Sequence, residues 1–90
     1  MMMSKKVEVE IRDGEGLLAL LGENVFLMCM NYYYTGKLVG VNKTCVLLED
    51  AQIVYETGEW NKTTWADAQA LPDKWYVQIA AIESFGISGR

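Results

Sequence analysis

Ninety residues allow one domain with a small core, yet 51% of them are hydrophobic, more apolar surface than so short a chain easily hides, which favours self-association. A net charge of −4 with no basic run sets up net repulsion against polyanions. The absence of histidine removes the usual general base and the commonest metal ligand, so triads, Cys/His zinc sites and histidine proton shuttles are excluded.

Val7, Val9 and Ile11 alternate with Glu8, Glu10 and Arg12, the pattern of a short half-exposed strand or an irregular arm. No hydrophobic signal region precedes them, so the chain is expected to be cytoplasmic. Residues 13–22 are expected to form a short amphipathic helix, with Asp13 capping its start and Gly22 ending it. The apolar stretch from Leu17 to Tyr34 is interrupted by Gly22-Glu23-Asn24 and reads as two elements, not a membrane span.

Val25 to Met30 is a continuous run of strand formers and predicts the first core strand. Tyr33 to Val41 predicts a curved second strand, in which Gly36 and Gly40 permit bending or close backbone approach. After the polar turn Asn42-Lys43-Thr44, Cys45 to Tyr55 completes a hairpin, interrupted only by Glu49-Asp50 and Gln52. Residues 58–74 change character, with Trp60, Trp65, an Ala-rich patch from Trp65 to Leu71 and the only proline, Pro72. They read as an inserted loop with room for a helical turn. Trp75 to Ile82 resumes strand character, and Ser84 to Ile87 forms a last short strand. A helix followed by about five strands, in one mostly β domain over residues 1–90, fits a small, strongly bent barrel.

Cys29 and Cys45 are too few for a disulfide framework and read as buried thiols in a reducing compartment. Glu49 and Asp50, adjacent on a strand, should point to opposite faces, and Glu8 and Glu10 share a face without a partner acid, base or metal ligand. No enzyme, metal or cofactor is therefore expected. Lys5, Lys6 and Arg12, interleaved with Glu8, Glu10 and Asp13, describe a solvated surface.

Tyr34-Thr35-Gly36-Lys37-Leu38-Val39-Gly40-Val41-Asn42, followed by Cys45-Val46-Leu47-Leu48-Glu49-Asp50-Ala51, resembles the first motif of Sm and Sm-like proteins, with a turn about one residue shorter. Val77-Gln78-Ile79-Ala80-Ala81-Ile82 looks like a degenerate second motif, so the resemblance runs from Leu17 to Ile87. It implies an Sm-like fold, in which an N-terminal helix caps a strongly bent five-stranded antiparallel sheet. It also implies a homo-oligomeric ring, of about five to seven subunits. In that family the fourth strand of one subunit pairs with the fifth of its neighbour, satisfying both edges. Here those strands would be Trp75 to Ala81 and Ile82 to Ile87.

Family members commonly bind uridine-rich RNA at the pore, through Asp and Asn around a stacking residue in the hairpin turn and a cationic pair from the second motif. In this chain Asn42 holds the Asp position, Ile79 and Ala80 hold the positions of the cationic pair, and Lys43 is the only nearby cation. Asn42, Lys43, Thr44 and Gln78 are the residues left to carry a weakened RNA pocket, and the plainer reading of the first three is a hairpin turn. Trp60 and Trp65 either meet a partner or close the inserted loop onto the barrel. The expected function is a ring-forming scaffold with weak or altered RNA binding. The alternatives are a protein-interaction ring that uses the inserted loop, and a non-ring SH3-like barrel that offers its aromatic surface to a peptide.

Overall fold

The computed structural model describes residues 16–90. The alternating segment at Val7 to Ile11, the Lys5, Lys6 and Arg12 surface with its carboxylates, and the first residues of the expected helix lie outside the described residues. Where the rest of that helix was expected, the chain makes a five-residue 3-10 helix, Gly16–Leu20. Gly16, its first residue, and Gly22, just beyond its end, take φ of +64° and +88°, a region glycine adopts without steric cost. Its register suits the core nonetheless. Leu17 and Leu20, three apart, fall on the same side of a 3-10 helix and pack against the buried cluster.

Three strands follow as an antiparallel meander: β1 (Asn24–Cys29), β2 (Tyr33–Val41) and β3 (Cys45–Glu56). Next come β4 (Asp67–Ala70), β5 (Trp75–Gln78) and β6 (Ile82–Ile87). The sheet order is β4-β3-β2-β1-β6, with β5 also on β3. The chain is thus mostly β and antiparallel, with six strands where five were expected. The additional strand is β4. The Ala-rich patch does not turn helically but pairs with the far half of β3, from Gln52↔Ala70 to Glu56↔Asp67. Leu71 N–H donates to Ala51 O at 2.8 Å, after which β5 takes up the near half, Cys45 to Leu48.

Trp75 to Ile82, expected as one strand, is broken by a 3-10 turn at Ile79–Ala81. The turn carries the chain from β3's side of the sheet to β1's, where β6 pairs with β1. No ladder joins β5 to β6 among the described residues, so the sheet is bent but not closed into a barrel.

Val25, Leu27, Leu38, Val46 and Leu48 are fully buried and form the centre of the core. Strict alternation along β3 would not place Ala51 with them. A bulge does: Thr35 pairs with Gln52 and Lys37 with Glu49, so Asp50 and Ala51 together oppose Gly36. Asp50 takes a φ of +51° there, and Ala51 turns inward. The opposite-face rule assumed for Glu49 and Asp50 therefore does not apply at this point, although the two carboxylates still diverge in environment. Glu49 lies 3.9 Å from Lys74, and Asp50 is exposed. Both cysteines are free, with Cys29 buried as expected and Cys45 only half-buried. No helix among the described residues is long and apolar enough to cross a membrane.

Candidate functional site

The four residues expected to carry a weakened RNA pocket meet at one corner of the sheet. Asn42, Lys43 and Thr44 form the exposed β2–β3 turn, and Gln78 pairs with Cys45 immediately beside it. Ile79 N–H donates to Thr44 O at 2.8 Å, tying the 3-10 turn to the hairpin. Within the corner, Asn42 already has work. Its Oδ1 accepts from Thr44 N–H at 2.8 Å, Cys45 N–H at 2.9 Å and the Thr44 hydroxyl at 3.2 Å. That is an Asx-type staple, and it leaves the side chain only its amide Nδ2 for a ligand. An asparagine that can donate but not accept cannot match the donor and acceptor of a uracil edge together. Lys43 is the one cation across residues 42–45 and 76–81.

Trp60 and Trp65 come together on the opposite side of the sheet from the core. Successive residues of β1 face opposite ways, so Phe26 points away from Val25 and Leu27, yet it is only 5% exposed. The inserted loop is what buries it. Trp65 stacks on Phe26 at 4.8 Å between centroids, Trp60 meets it edge-on at 5.4 Å, and Tyr33 does so at 5.5 Å. Arg90 closes the arrangement, its guanidinium 3.9 Å from the centre of the Trp65 ring and 5.1 Å from that of Trp60. Its Nη1 donates to Thr57 O at 2.9 Å and Thr64 O at 2.8 Å, on either side of the loop tip. Trp65 is therefore an anchor, while Trp60 remains 60% exposed.

The sequence pointed to the two tryptophans but not to Phe26 or Arg90. Phe26 sits inside a continuous apolar run that gives no sign of a second buried face, and Arg90 reads as part of a polar tail. Beside the anchor runs an open cleft of about 600 Å³, lined by Thr35, Asp50, Gln52, Thr64, Asp67 and Arg90 among others. No group of side chains among the described residues is placed to hold a metal ion.

A third feature is the open sheet edges. Among the described residues β4 and β5 each pair only with β3, and β6 only with β1, leaving one side of each without a ladder partner. Large apolar side chains stand exposed at two of these three: Tyr76 on β5, and Phe85 and Ile87 on β6. Compared with known proteins, the chain matches no family model and no curated sequence.

Proposed function

We propose that the chain is a ring-forming Sm-like scaffold in which β5 of one subunit pairs with β6 of the next. The observation that supports this reading is the presence, on one short chain, of two unlike edges that both carry exposed apolar residues. An isolated sheet edge presents a row of unpaired donors and acceptors, and joining the two would satisfy both rows. Because the edges differ, the contact is head-to-tail, and head-to-tail contacts form rings when the rotation closes. The 3-10 turn between β5 and β6 also suits the strand order that the motif resemblance implies. Light scattering at micromolar concentration should give a multiple of the 10.2 kDa chain mass, about five to seven. A stable monomer would overturn the ring.

RNA has a minor place in this reading. About five to seven copies at −4 each carry about −20 to −28, a field opposing polyanions, with Lys43 the sole cation at the corner. Oligouridine should bind with a Kd weaker than about 1 μM at physiological salt, and with a shallow salt dependence. Fluorescence anisotropy with oligouridine and oligoadenine tests this, with Lys43→Ala as the informative variant, since Asn42→Ala would also dismantle the turn. Tight uridine-selective binding that Lys43→Ala abolishes would restore an RNA role. Trp60, held by Phe26 and Arg90 yet largely exposed, favours the second reading, a ring that meets a protein partner through the insert. A ring that binds neither oligonucleotide, and a partner lost on Trp60→Ala, would support it.

A further inference from the structure

If β5 and β6 pair between copies, the side chains at the two edges select one register, and that register has a specific consequence. We propose that Tyr76 of one copy seats over Gly86 of the next, in a hollow beside Trp60. This contact rests on the edge-pairing reading above. The hollow measures about 230 Å³ and is lined by Phe26, Met28, Trp60, Phe85, Gly86 and Ile87, among others. Gly86 pairs with Phe26, so both belong to the outer face of the sheet. A Cβ built on Gly86 would meet nothing within 4 Å, which leaves the floor of the hollow open.

Tyr76 is the matching projection. It is 67% exposed, and it stands between Trp75 and Val77, which pack on the core side, so it faces outward from β5. On β6 the core-side positions are Phe85 and Ile87, paired with the fully buried Leu27 and Val25. Despite that position they are 43% and 64% exposed, because no described strand lies beyond them. An antiparallel register that sets Tyr76 opposite Gly86 also sets Val77 opposite Phe85 and Trp75 opposite Ile87. Core side then meets core side. Sliding by two residues in one direction sets Val77 against Glu83, and in the other sets Trp75 against Gly89; sliding by one turns every side chain to the wrong face. An aromatic ring laid over a cross-strand glycine is a known stabilising pair in sheets, and here Trp60 adds a second aromatic wall.

The contact is head-to-tail, so its two halves can be disabled on separate chains. Tyr76→Ala removes the projection, and Gly86→Leu fills the hollow; neither change meets a crowded site within its own chain, so both variants should keep the wild-type circular dichroism spectrum. Each alone should associate about thirtyfold or more weakly than wild type, the scale of a central aromatic anchor. Native mass spectrometry and light scattering should then find each near 10.2 kDa at concentrations where wild type is assembled. An equimolar mixture should form a one-to-one pair that grows no further, since Gly86→Leu retains Tyr76, Tyr76→Ala retains the hollow, and both outer faces of the pair are defective. Variants that keep the wild-type assembly mass would overturn the Tyr76 seat while leaving edge pairing intact. A folded mixture that stays monomeric would also overturn the seat. A monomeric wild type would overturn both readings.

Discussion

Gly36→Ala adds one methyl group where β2 crosses the bulge of β3, and the neighbours it would meet are fixed. The new Cβ would lie 2.9 Å from Glu49 O, 3.1 Å from Ala51 Cα and 3.3 Å from Leu48 Cβ. Two of these are backbone atoms held in the ladder, so no side chain can swing aside to make room. Gly36 does not sit in the left-handed region, so the cost is crowding alone. Overpacking of this kind costs about 1–3 kcal/mol. In a domain this small each kcal/mol lowers Tm by about 4–8 °C, so Gly36→Ala should melt about 5–20 °C below wild type. Gly36→Val, bulkier still, should unfold or aggregate. Gly40→Ala is the control: its Cβ would first meet Leu47 Cβ at 3.4 Å, an ordinary contact, and the loss should stay under about 0.5 kcal/mol. Melts followed by circular dichroism must share one protein concentration, because self-association would raise Tm by mass action. Gly36→Ala melting within about 1 °C of wild type, or Gly40→Ala falling equally far, would refute the close-approach account of the bend.

Asn42→Ala removes the acceptor of three hydrogen bonds and should cost about 1–2 kcal/mol in urea denaturation, whereas Asn42→Asp, which keeps an acceptor in place, should cost much less. Arg90→Ala releases both ends of the loop tip, so trypsin should cut after the exposed Lys62 severalfold faster than in wild type; an unchanged rate would show that the guanidinium does not hold the loop. Burial pushes the Cys29 thiol above its ordinary value of 9.0, and burial followed by neighbouring Cys29, Tyr32 and Tyr55 pushes the Tyr34 phenol above 10.0. The unfolded chain then releases these protons first, so their contribution to stability is complete below about pH 9 and declines as pH rises through the folded values. Denaturation midpoints at about pH 8 and pH 10 should show the loss, and Cys29→Ala should reduce it.

The central meander was legible because its signals are local. Val25 to Cys29, Tyr33 to Val41 and Cys45 to Glu56 are rich in strand formers, and a polar turn with Asn at its head separates the last two. β4 was not legible, because Asp67-Ala68-Gln69-Ala70 has little intrinsic strand preference and becomes a strand only through its pairing with β3. Over its described residues the expected helix takes 3-10 form for the converse reason. Its leucines favour a helix, but a run bounded by Gly16 and Gly22 is too short to sustain one. Of the candidate sites, the corner at Asn42 and Gln78 could be assembled from motif order, since hairpin pairing brings its parts together. The burial of Phe26 beneath Trp65, with Arg90 on the Trp65 ring, could not, because it joins residues far apart in the chain that share no pattern.

The ladder between β1 and β6 imposes an order in time. β1, β2 and β3 contact their neighbours in sequence and can fold while the chain is still being made, but the other side of β1 stays bare until Ile82–Ile87 has emerged, since Val25 must wait for Ile87. Throughout that interval a nascent chain carries an adhesive strand edge, and two incomplete chains can join through it wrongly. The arrival of β6 ends the hazard, and in the proposed ring the same strand recruits the neighbour. In that ring a subunit offers its head-to-tail contact only once β6 has sealed its own sheet, so correct assembly waits on complete folding.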